Sequence, residues 1–174
     1  MNFIPHPYQY AAIKHLLSRQ HGGLLLPVGL GKTSCALAAT MMLRGRHFVK
    51  RTLLVAPLRA IYTTWPDELK KWNEFRGMTV KNLHAGEMDG DIEMVNPHQV
   101  ARLVDAYPRR WDHLIVDEST DFKNARSQRF RALRNVLHHF RRRWILTGSP
   151  APNGLMDVWS QAFILDRGDA LGKF

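Results

Sequence analysis

Cysteine and long apolar runs are the scarcest features of this sequence. Cys35 is the only cysteine among the 174 residues, which excludes an internal disulfide and a metal site built from several cysteines. Apolar runs stay short of the roughly 18 residues that a membrane helix needs, and the N-terminus lacks the charged start and apolar core of a signal peptide. The nine histidines lack ligand spacing with acids or cysteine, so we assign no zinc site. These absences predict a protein without a membrane partner, with Cys35 packed inside a helix.

Acidic residues are also few. The chain has 25 Lys and Arg against 15 Asp and Glu, which gives a formal net charge of +10. Such a charge favours a polyanionic partner or surface. No acid lies between Asp121 and Asp157, and the basic residues of that segment are Lys123, Arg126, Arg129, Arg131, Arg134, Arg141, Arg142 and Arg143.

The same segment has the apolar period of a helix. Its predicted buried face consists of Phe130, Leu133, Leu137 and Phe140, which turns Arg131, Arg134 and His138 outward. Two interpretations stay open for the outward arginines. They contact nucleic-acid phosphates, or they form an ordinary solvated helix face.

Residues 24–33 combine an apolar run, two glycines and the sequence Gly-Lys-Thr. Gly29 and Gly31 allow a turn whose backbone N–H groups point at an anion, and the helix expected to follow adds a favourable dipole. Lys32 is expected to reach the β- and γ-phosphates of a nucleotide, and the Thr33 hydroxyl to bind magnesium. The alternative is an ordinary strand-to-helix turn with a surface lysine.

A second apolar run, residues 114–116, leads directly into Asp117 and Glu118. Ligands of doubly wound folds bind beyond the carboxyl ends of the strands. We therefore expect Asp117 to hold magnesium and Glu118 to orient and deprotonate the attacking water. Two adjacent acids can also belong to a plain solvated loop. Together with Lys32, the pair predicts an ATP hydrolase with ATP and Mg²⁺ as its cofactors.

Alternating apolar and amphipathic segments predict an α/β sandwich with helices on a parallel sheet. We expect strands at 52–56, 79–83, 92–95, 114–116 and 143–146, besides a first strand that starts after the break at Gly22-Gly23. We expect helices at 7–19, from the phosphate loop to about 43, at 64–75 and 98–106, through the basic segment, and at 155–164.

The order of the motifs resembles the first RecA-like lobe of superfamily 2 helicases, in the Swi/Snf-like branch. The residues that carry the resemblance are Pro7-Tyr8-Gln9, Gly29-Leu30-Gly31-Lys32-Thr33, Val55-Ala56-Pro57-Leu58 with Trp65, Asp117-Glu118-Ser119-Thr120, Phe122-Lys123-Asn124 with Ser127, and Leu146-Thr147-Gly148-Ser149-Pro150 with Asn153, Leu155, Asp157 and Trp159. The chain departs from the branch at Ser119 and Thr120, where alanine and then histidine or glutamine are common. The usual phosphate loop has a glycine six residues before the lysine, where this chain has Leu26. The absence of that glycine is typical of the branch.

The resemblance covers nearly the whole chain and implies one RecA-like ATP-binding domain over residues 1–174. This is a P-loop NTPase fold, a three-layer sandwich with a mainly parallel central sheet. The implied ATP-binding residues are Tyr8, Gln9, Gly29, Leu30, Gly31, Lys32, Thr33 and Ser34, with the amide of Gln9 reading the adenine edge. Pro57, Arg59, Lys123 and Asn124 are the implied nucleic-acid contacts. Thr147, Gly148 and Ser149 would couple hydrolysis to a second lobe and to the nucleic acid.

A motor of this branch needs a second RecA-like lobe that carries an arginine finger, in the same chain or in another. The resemblance therefore implies an ATPase that is weakly active alone, and a DNA helicase or double-stranded DNA translocase when complete. The residues themselves leave DNA and RNA open, whereas the resemblance favours duplex DNA. The alternative function is a non-hydrolysing, nucleotide-gated DNA-binding module of a larger complex. Because the compact loops lack room for the large insertions of the branch's eukaryotic remodellers, the resemblance implies a bacterial or bacteriophage origin, and thus the cytoplasm of a bacterium or of a phage-infected host.

Overall fold

The computed structural model describes residues 1–151 and 156–172. Its sheet contains six strands: β1 (His21–Leu25), β2 (Thr52–Val55), β3 (Val80–Asn82), β4 (Ile92–Val95), β5 (His113–Asp117) and β6 (Arg142–Thr147). Their order across the sheet is β1-β6-β5-β2-β4-β3. All neighbouring strands are parallel, which confirms the predicted fold class. Because parallel strands share one direction, the loops that follow them meet at one edge of the sheet.

Helices cover both faces of the sheet and make three layers. The α-helices are α1 (Pro7–Ser18), α2 (Lys32–Gly45), α3 (Trp65–Lys71), α4 (Val100–Ala106), α5 (Gln128–Val136) and α6 (Met156–Asp166). One apolar core joins α1, α2 and α3 to the sheet and includes Leu16, Leu37, Trp65 and Trp144. A second core joins α4, α5 and α6 to the opposite face, through Val104, Phe130 and Phe163. Both faces of the central strands are therefore removed from water, as all-parallel sheets require.

Two local predictions were wrong. Gly22 and Gly23 lie inside β1 and do not precede it. A Cβ on Gly23 would lie 3.1 Å from Ile145 of the neighbouring strand, and one on Gly22 would lie 3.4 Å from His15 of α1. The glycines thus serve close packing around β1, and the break after α1 lies at residues 19–20.

The predicted helix at 64–75 is three consecutive segments. A π-helix (Ala60–Thr64) precedes α3, and a 3₁₀ turn (Asn73–Phe75) follows it. The helix stops at Lys71 because Trp72 is extended, with φ −109° and ψ 131°. Trp65 and Phe75 still reach the core, as expected, whereas Leu69 and Trp72 are only half-buried.

The predicted helix of the basic segment is α5, which ends at Val136 and is followed by a 3₁₀ turn (Leu137–His139), so Leu137, His138 and Phe140 lie beyond the α-helix. Phe130, Leu133, Leu137 and Phe140 are buried, while Arg131, Arg134 and His138 are exposed. Cys35 is fully buried in α2, as expected. None of the described helices combines the length and apolar character that a bilayer crossing requires. Asn153 and Leu155, which belong to the last motif, lie outside the described residues.

Candidate nucleotide-binding site

A cavity of about 720 Å³ opens at the carboxyl edge of the sheet. Its wall includes Lys32, Asp117 and Glu118, so the phosphate loop and the acid pair face one space. The strand order explains this convergence. The loops after β1 and β5 are separated only by β6, and Leu25 pairs with Thr147 while Asp117 pairs with Leu146. A cavity of this volume is within the range of small-molecule sites, about 300–1,000 Å³.

The phosphate loop is built on two left-handed glycines. Gly29 has φ +85° and Gly31 has φ +74°, a conformation that costs non-glycine residues about 1–3 kcal/mol. A Cβ on Gly29 would meet no atom within 4 Å, whereas one on Gly31 would lie 2.5 Å from the Gln9 side chain. Helix α2 starts immediately afterwards, and the Cys35 amide donates to the Gly31 carbonyl at 3.0 Å. The loop thus leaves room for an anion in front of a helix N-terminus.

Lys32 folds back over its own loop. Its ammonium group donates to the carbonyl of Leu26 at 2.8 Å and to that of Pro27 at 3.3 Å. These neutral oxygens are weaker partners for an ammonium than phosphate oxygens, because charge-assisted hydrogen bonds are roughly twice as strong. The side chain is therefore held beside the cavity with partners that a triphosphate can replace.

The two acids have different environments. Asp117 is 7% exposed, and its Oδ2 accepts from the indole N–H of Trp65 at 2.8 Å. Its Oδ1 accepts from the Glu118 amide at 3.0 Å. Burial raises the pKa of Asp117, although these hydrogen bonds and the charge of Lys32 act in the opposite direction. The charge of a nearby divalent cation would favour the ionised carboxylate and so oppose the effect of burial on this pKa.

Glu118 is half-buried in the left-handed region, with φ +50°. Such a conformation in a residue other than glycine is uncommon and costly, and residues of this kind cluster at active sites. Burial raises the pKa of Glu118, and the neighbouring Asp117 charge raises it further. A carboxylate with a raised pKa is a better proton acceptor at neutral pH.

The first turn of α1 and the residue before it close one side of the cavity. Gln9 is buried, its Oε1 accepts from the His6 amide at 3.0 Å, and its Nε2 donates to the Leu30 carbonyl at 3.3 Å. Tyr8 lines the cavity and stacks on His6, with ring centroids 5.7 Å apart and planes 5° apart. The structure thus places both residues at the cavity, while the amide of Gln9 already has a partner at each end.

Thr33 and Ser34 also lie in the cavity wall. The Ser34 hydroxyl donates to the carboxylate of Glu68 in α3, and the same oxygen accepts from the Trp72 indole at 2.5 Å. The sequence motifs do not include Glu68. Its position three residues after Trp65, on the same helix face, is the only signal that could have indicated it.

The residues expected to couple hydrolysis lie against the phosphate loop. The Thr147 carbonyl accepts from the Leu26 amide at 3.1 Å, and a Cβ on Gly148 would lie 3.3 Å from Val28. The Ser149 amide donates to the Thr147 hydroxyl at 3.2 Å. This loop is therefore in direct contact with residues that precede Gly29.

Gln161 of α6 is a polar connection that the sequence did not indicate. It accepts from the Ser119 hydroxyl at 2.6 Å and donates to the Pro150 carbonyl. The acid loop and the loop after β6 are thus joined through one buried amide. Thr120, at the fourth position of the acid motif, is half-buried in the 3₁₀ turn Ser119–Phe122.

The four residues expected at the nucleic acid separate into two places. Pro57 and Arg59 line the nucleotide cavity. Lys123 and Asn124 lie in the turn before α5, where the Lys123 carbonyl accepts from Ser160 and the Asn124 side chain accepts from the Arg126 amide. The structure therefore does not gather these four side chains into one cluster.

The donor set fits a magnesium nucleotide. The cavity offers the ammonium of Lys32, a glycine loop at a helix N-terminus, the hydroxyl of Thr33 and two carboxylates. Magnesium prefers one or two carboxylates together with phosphate oxygens and water. Thr33 and Asp117 are the residues that would hold this ion.

Relatives were found among curated proteins. The chain is 38% identical over 194 residues to putative protein p41 of Acyrthosiphon pisum secondary endosymbiont phage 1. The alignment covers 98% of this chain and 41% of that protein. It is 32% identical over 163 residues to helicase swr1 of Emericella nidulans, with 86% of this chain and 10% of that helicase covered. The chain thus spans about two fifths of the phage protein and a tenth of the fungal helicase.

Solved structures share the fold. The SWI2/SNF2 ATPase core of Sulfolobus solfataricus, solved in complex with dsDNA, matches with a TM-score of 0.81 and 22% identity, covering 97% of this chain and 37% of that one. The UvsW helicase of bacteriophage T4 matches with a TM-score of 0.74 and 15% identity, and the match covers 94% of this chain and 58% of that one. The SNF2-related domain family matches residues 8–166, which is most of the sequence, and the chain therefore belongs to that family.

Proposed function

We propose that this chain is the ATP-binding lobe of a nucleic-acid-stimulated ATPase that moves along duplex DNA. The observation that supports the proposal most strongly is the shared cavity of Lys32, Asp117 and Glu118. A fold alone does not specify an activity, but a phosphate cradle facing two carboxylates is what phosphoryl transfer to water needs. Membership of the SNF2-related family makes an ATPase and helicase lobe the expected class.

Each residue has a chemical role in this proposal. The triphosphate lies in the open space beside Gly29, and Lys32 exchanges its carbonyl partners for phosphate oxygens. Thr33 and Asp117 would hold Mg²⁺, which would supply positive charge beside the phosphates. Glu118 orients the attacking water and accepts its proton.

The remaining cavity residues would bind the rest of the nucleotide. Tyr8 offers an exposed ring face and Gln9 an amide that can both donate to and accept from adenine. Each end of the Gln9 amide has one protein partner, and the second Nε2 hydrogen and the second Oε1 lone pair would bind the base. Gly31 and Ser34 line the cavity and, together with Leu30 between the two glycines, would complete the phosphate-loop contacts.

A second RecA-like lobe would complete the site. An arginine finger is worth at least about a thousandfold in turnover, so residues 1–174 alone should bind ATP weakly and hydrolyse it poorly. Strong DNA-stimulated turnover by this lobe alone would contradict the proposal. Thr147, Gly148 and Ser149, which lie against the phosphate loop, would transmit the state of the nucleotide to the second lobe.

DNA is the proposed track, with Pro57, Arg59, Lys123 and Asn124 as contacts. The net charge of +10 and the description of one structural neighbour as a complex with dsDNA support it. Arg59→Ala should weaken binding to all sequences equally, because a phosphate contact carries no base information. The similarity to a phage protein supports a site of action in the cytoplasm of a bacterium or phage-infected host.

The decisive experiment replaces Glu118 by Gln in a protein that carries both lobes. We expect nucleotide binding to persist and DNA-stimulated hydrolysis to fall by a factor of a hundred or more, since general-base catalysis contributes about 10²–10⁴-fold. Glu87→Gln is the matched control, because Glu87 lies outside the cavity wall and accepts from the Asn82 amide. Unchanged turnover in Glu118→Gln would overturn the motor proposal and favour a nucleotide-gated DNA-binding module that does not use this site for hydrolysis.

A further inference from the structure

Helix α3 connects the loop after β2 to the nucleotide cavity. The loop contributes Pro57 and Arg59 to the cavity wall, and the π-helix Ala60–Thr64 continues from it directly into α3. The Thr63 hydroxyl donates to the Arg59 carbonyl at 2.8 Å, which ties the loop to the helical segment. π-Helical turns are rare and frequently occur at functional sites.

The first residue of α3 contacts the acid pair. Trp65 is fully buried, and its indole N–H donates to Asp117 Oδ2 at 2.8 Å. The other oxygen of Asp117 accepts from the Glu118 amide. The carboxylate plane is thus fixed by one donor on each oxygen, and the remaining lone pairs are available to the cavity. Partners of this kind orient the groups that bind metals.

Helix α3 is also held against the start of α2. Glu68, one turn after Trp65, accepts from the Ser34 hydroxyl and from the Trp72 indole. The ring of Phe3 packs edge-on against Trp72, with centroids 5.4 Å apart. The helix therefore has a defined position relative to both the phosphate loop and β5, so its first side chain can hold Asp117 accurately.

We propose that Trp65 is a positioning residue for the magnesium nucleotide, acting by holding the Asp117 carboxylate in the orientation that binds the ion. This inference rests on the proposed function, because it assumes that Asp117 binds the metal. It adds a requirement for the indole N–H, which packing of an aromatic ring alone does not supply. A residue that acts only in the core would affect stability without a specific effect on magnesium.

The chain offers a matched control for this distinction. Trp111 is also buried, and its indole N–H donates to a fully buried carboxylate, Glu93 Oε2, at 2.7 Å. It lies before β5 and outside the cavity wall. Trp65→Phe and Trp111→Phe therefore delete the same ring atoms and the same type of hydrogen bond in two different places.

The experiment titrates a fluorescent ATP analogue into the 174-residue chain with excess Mg²⁺ and, separately, with EDTA. For Trp65→Phe we expect about a tenfold loss of affinity with Mg²⁺, since losing a partner that orients a metal ligand typically weakens metal binding about 10–100-fold, and less than a twofold change with EDTA. For Trp111→Phe both affinities should stay within twofold of the parent. Thermal unfolding of both variants measures the structural cost separately.

Three results would overturn the inference: unchanged affinity of Trp65→Phe with Mg²⁺, an equal loss with EDTA, or an equal loss in Trp111→Phe. If the parent chain binds no nucleotide under either condition, the proposed function fails instead. The two failures are therefore distinguishable.

A measurement on the parent chain keeps the inference testable if Trp65→Phe does not fold. The indole N–H signals are assigned in ¹⁵N-labelled protein, and ADP is added first with EDTA and then with Mg²⁺. The Trp65 signal should shift on the magnesium step, because its acceptor changes its ligands, while the Trp111 signal should not. If ADP binds but the Trp65 indole signal does not shift when Mg²⁺ is added, the inference is overturned.

Discussion

The side-chain amide of Gln9 occupies the space that a side chain at residue 31 would need. A Cβ on Gly31 would lie 2.5 Å from Gln9 Nε2, and that nitrogen donates to the Leu30 carbonyl at 3.3 Å. The first turn of α1 and the phosphate loop are therefore in contact without any nucleotide between them. A change in the shape of the loop must move Gln9, and the reverse also holds.

Gly31→Ala should disrupt both elements. The methyl group would clash with Gln9, and alanine would have to adopt φ +74°, so we expect a loss of about 1–3 kcal/mol in the free energy of unfolding together with weaker nucleotide binding. Gly45→Ala is the control, since a Cβ there meets no atom within 4 Å at the end of α2. Urea denaturation and a nucleotide titration measure the two effects. Equal behaviour of the two variants would contradict the steric argument.

The parts of the site that the sequence predicted are local in the chain. Gly29, Gly31 and Lys32 are within four residues of one another, and Asp117 follows its strand directly. Closely spaced glycines and acids at strand ends predict a binding site from the sequence alone. The backbone turn places the N–H groups around an anion, and the strand direction places the acids at the carboxyl edge of the sheet. The convergence of the two motifs then follows from the parallel sheet, and the structure confirms it.

The contacts that the sequence did not predict are long-range. Glu68 meets Ser34 across 34 positions, Trp65 meets Asp117 across 52, and Gln161 meets Ser119 across 42. Their side chains have ordinary types and spacings, so only the packing of the helices against the sheet brings them together. The wrong placement of Gly22 and Gly23 has a similar cause, because packing against Ile145 and His15 outweighs the usual tendency of glycine to break elements.

His113 should make stability depend on pH. It is fully buried at the start of β5, with Nδ1 3.1 Å from the Thr52 hydroxyl and its ring against Trp144. Burial lowers the pKa of His113 well below its ordinary value, and the charge of Arg142 lowers it further. Above about pH 6.5 the imidazole is neutral in both states, so the folded chain carries no penalty.

Below that pH His113 is protonated in the unfolded chain but stays neutral in the folded chain, because its folded pKa is lower. The free energy of unfolding should then fall by up to about 1.4 kcal/mol per pH unit until the folded pKa is reached. Urea denaturation between pH 7.5 and 5.0 measures the slope, and His113→Asn, which does not titrate, should flatten it. The pKa of His21 is lowered too, so part of the slope should remain. Identical slopes in parent and variant would show that His113 is not responsible.

The exposed arginines of the basic segment should contribute to DNA affinity through phosphates. Arg126 and Arg131 are exposed, and none of the ion pairs among the described residues involves them. Replacing both by Ala should weaken duplex binding and reduce the salt dependence, by about 0.9 in the slope of log K against log salt for each lost phosphate contact. The measurement is a binding titration at several salt concentrations.

A control must separate contact from net charge. Arg19→Ala with Arg76→Ala removes the same charge from exposed positions elsewhere on the chain, and it should leave the slope nearly unchanged. If both double variants reduce the slope equally, the basic segment is a solvated helix face, and its effect on DNA is only that of overall charge.

Cys35 should report nucleotide binding through its chemical protection. Its thiol is fully buried in the first turn of α2, and burial raises the pKa of Cys35 to about 11. Since the thiolate is the reactive form, a disulfide reagent at pH 8 should label the folded chain far more slowly than the chain in urea.

Because the Cys35 amide is bonded to the Gly31 carbonyl, a magnesium nucleotide that orders the loop should slow labelling further. The free energy of opening should rise by up to RT ln(1 + [L]/Kd). Lys32→Ala should keep the slow labelling but lose most of the nucleotide effect. Rapid labelling of the folded parent chain, or protection that survives in Lys32→Ala, would contradict this account of the loop.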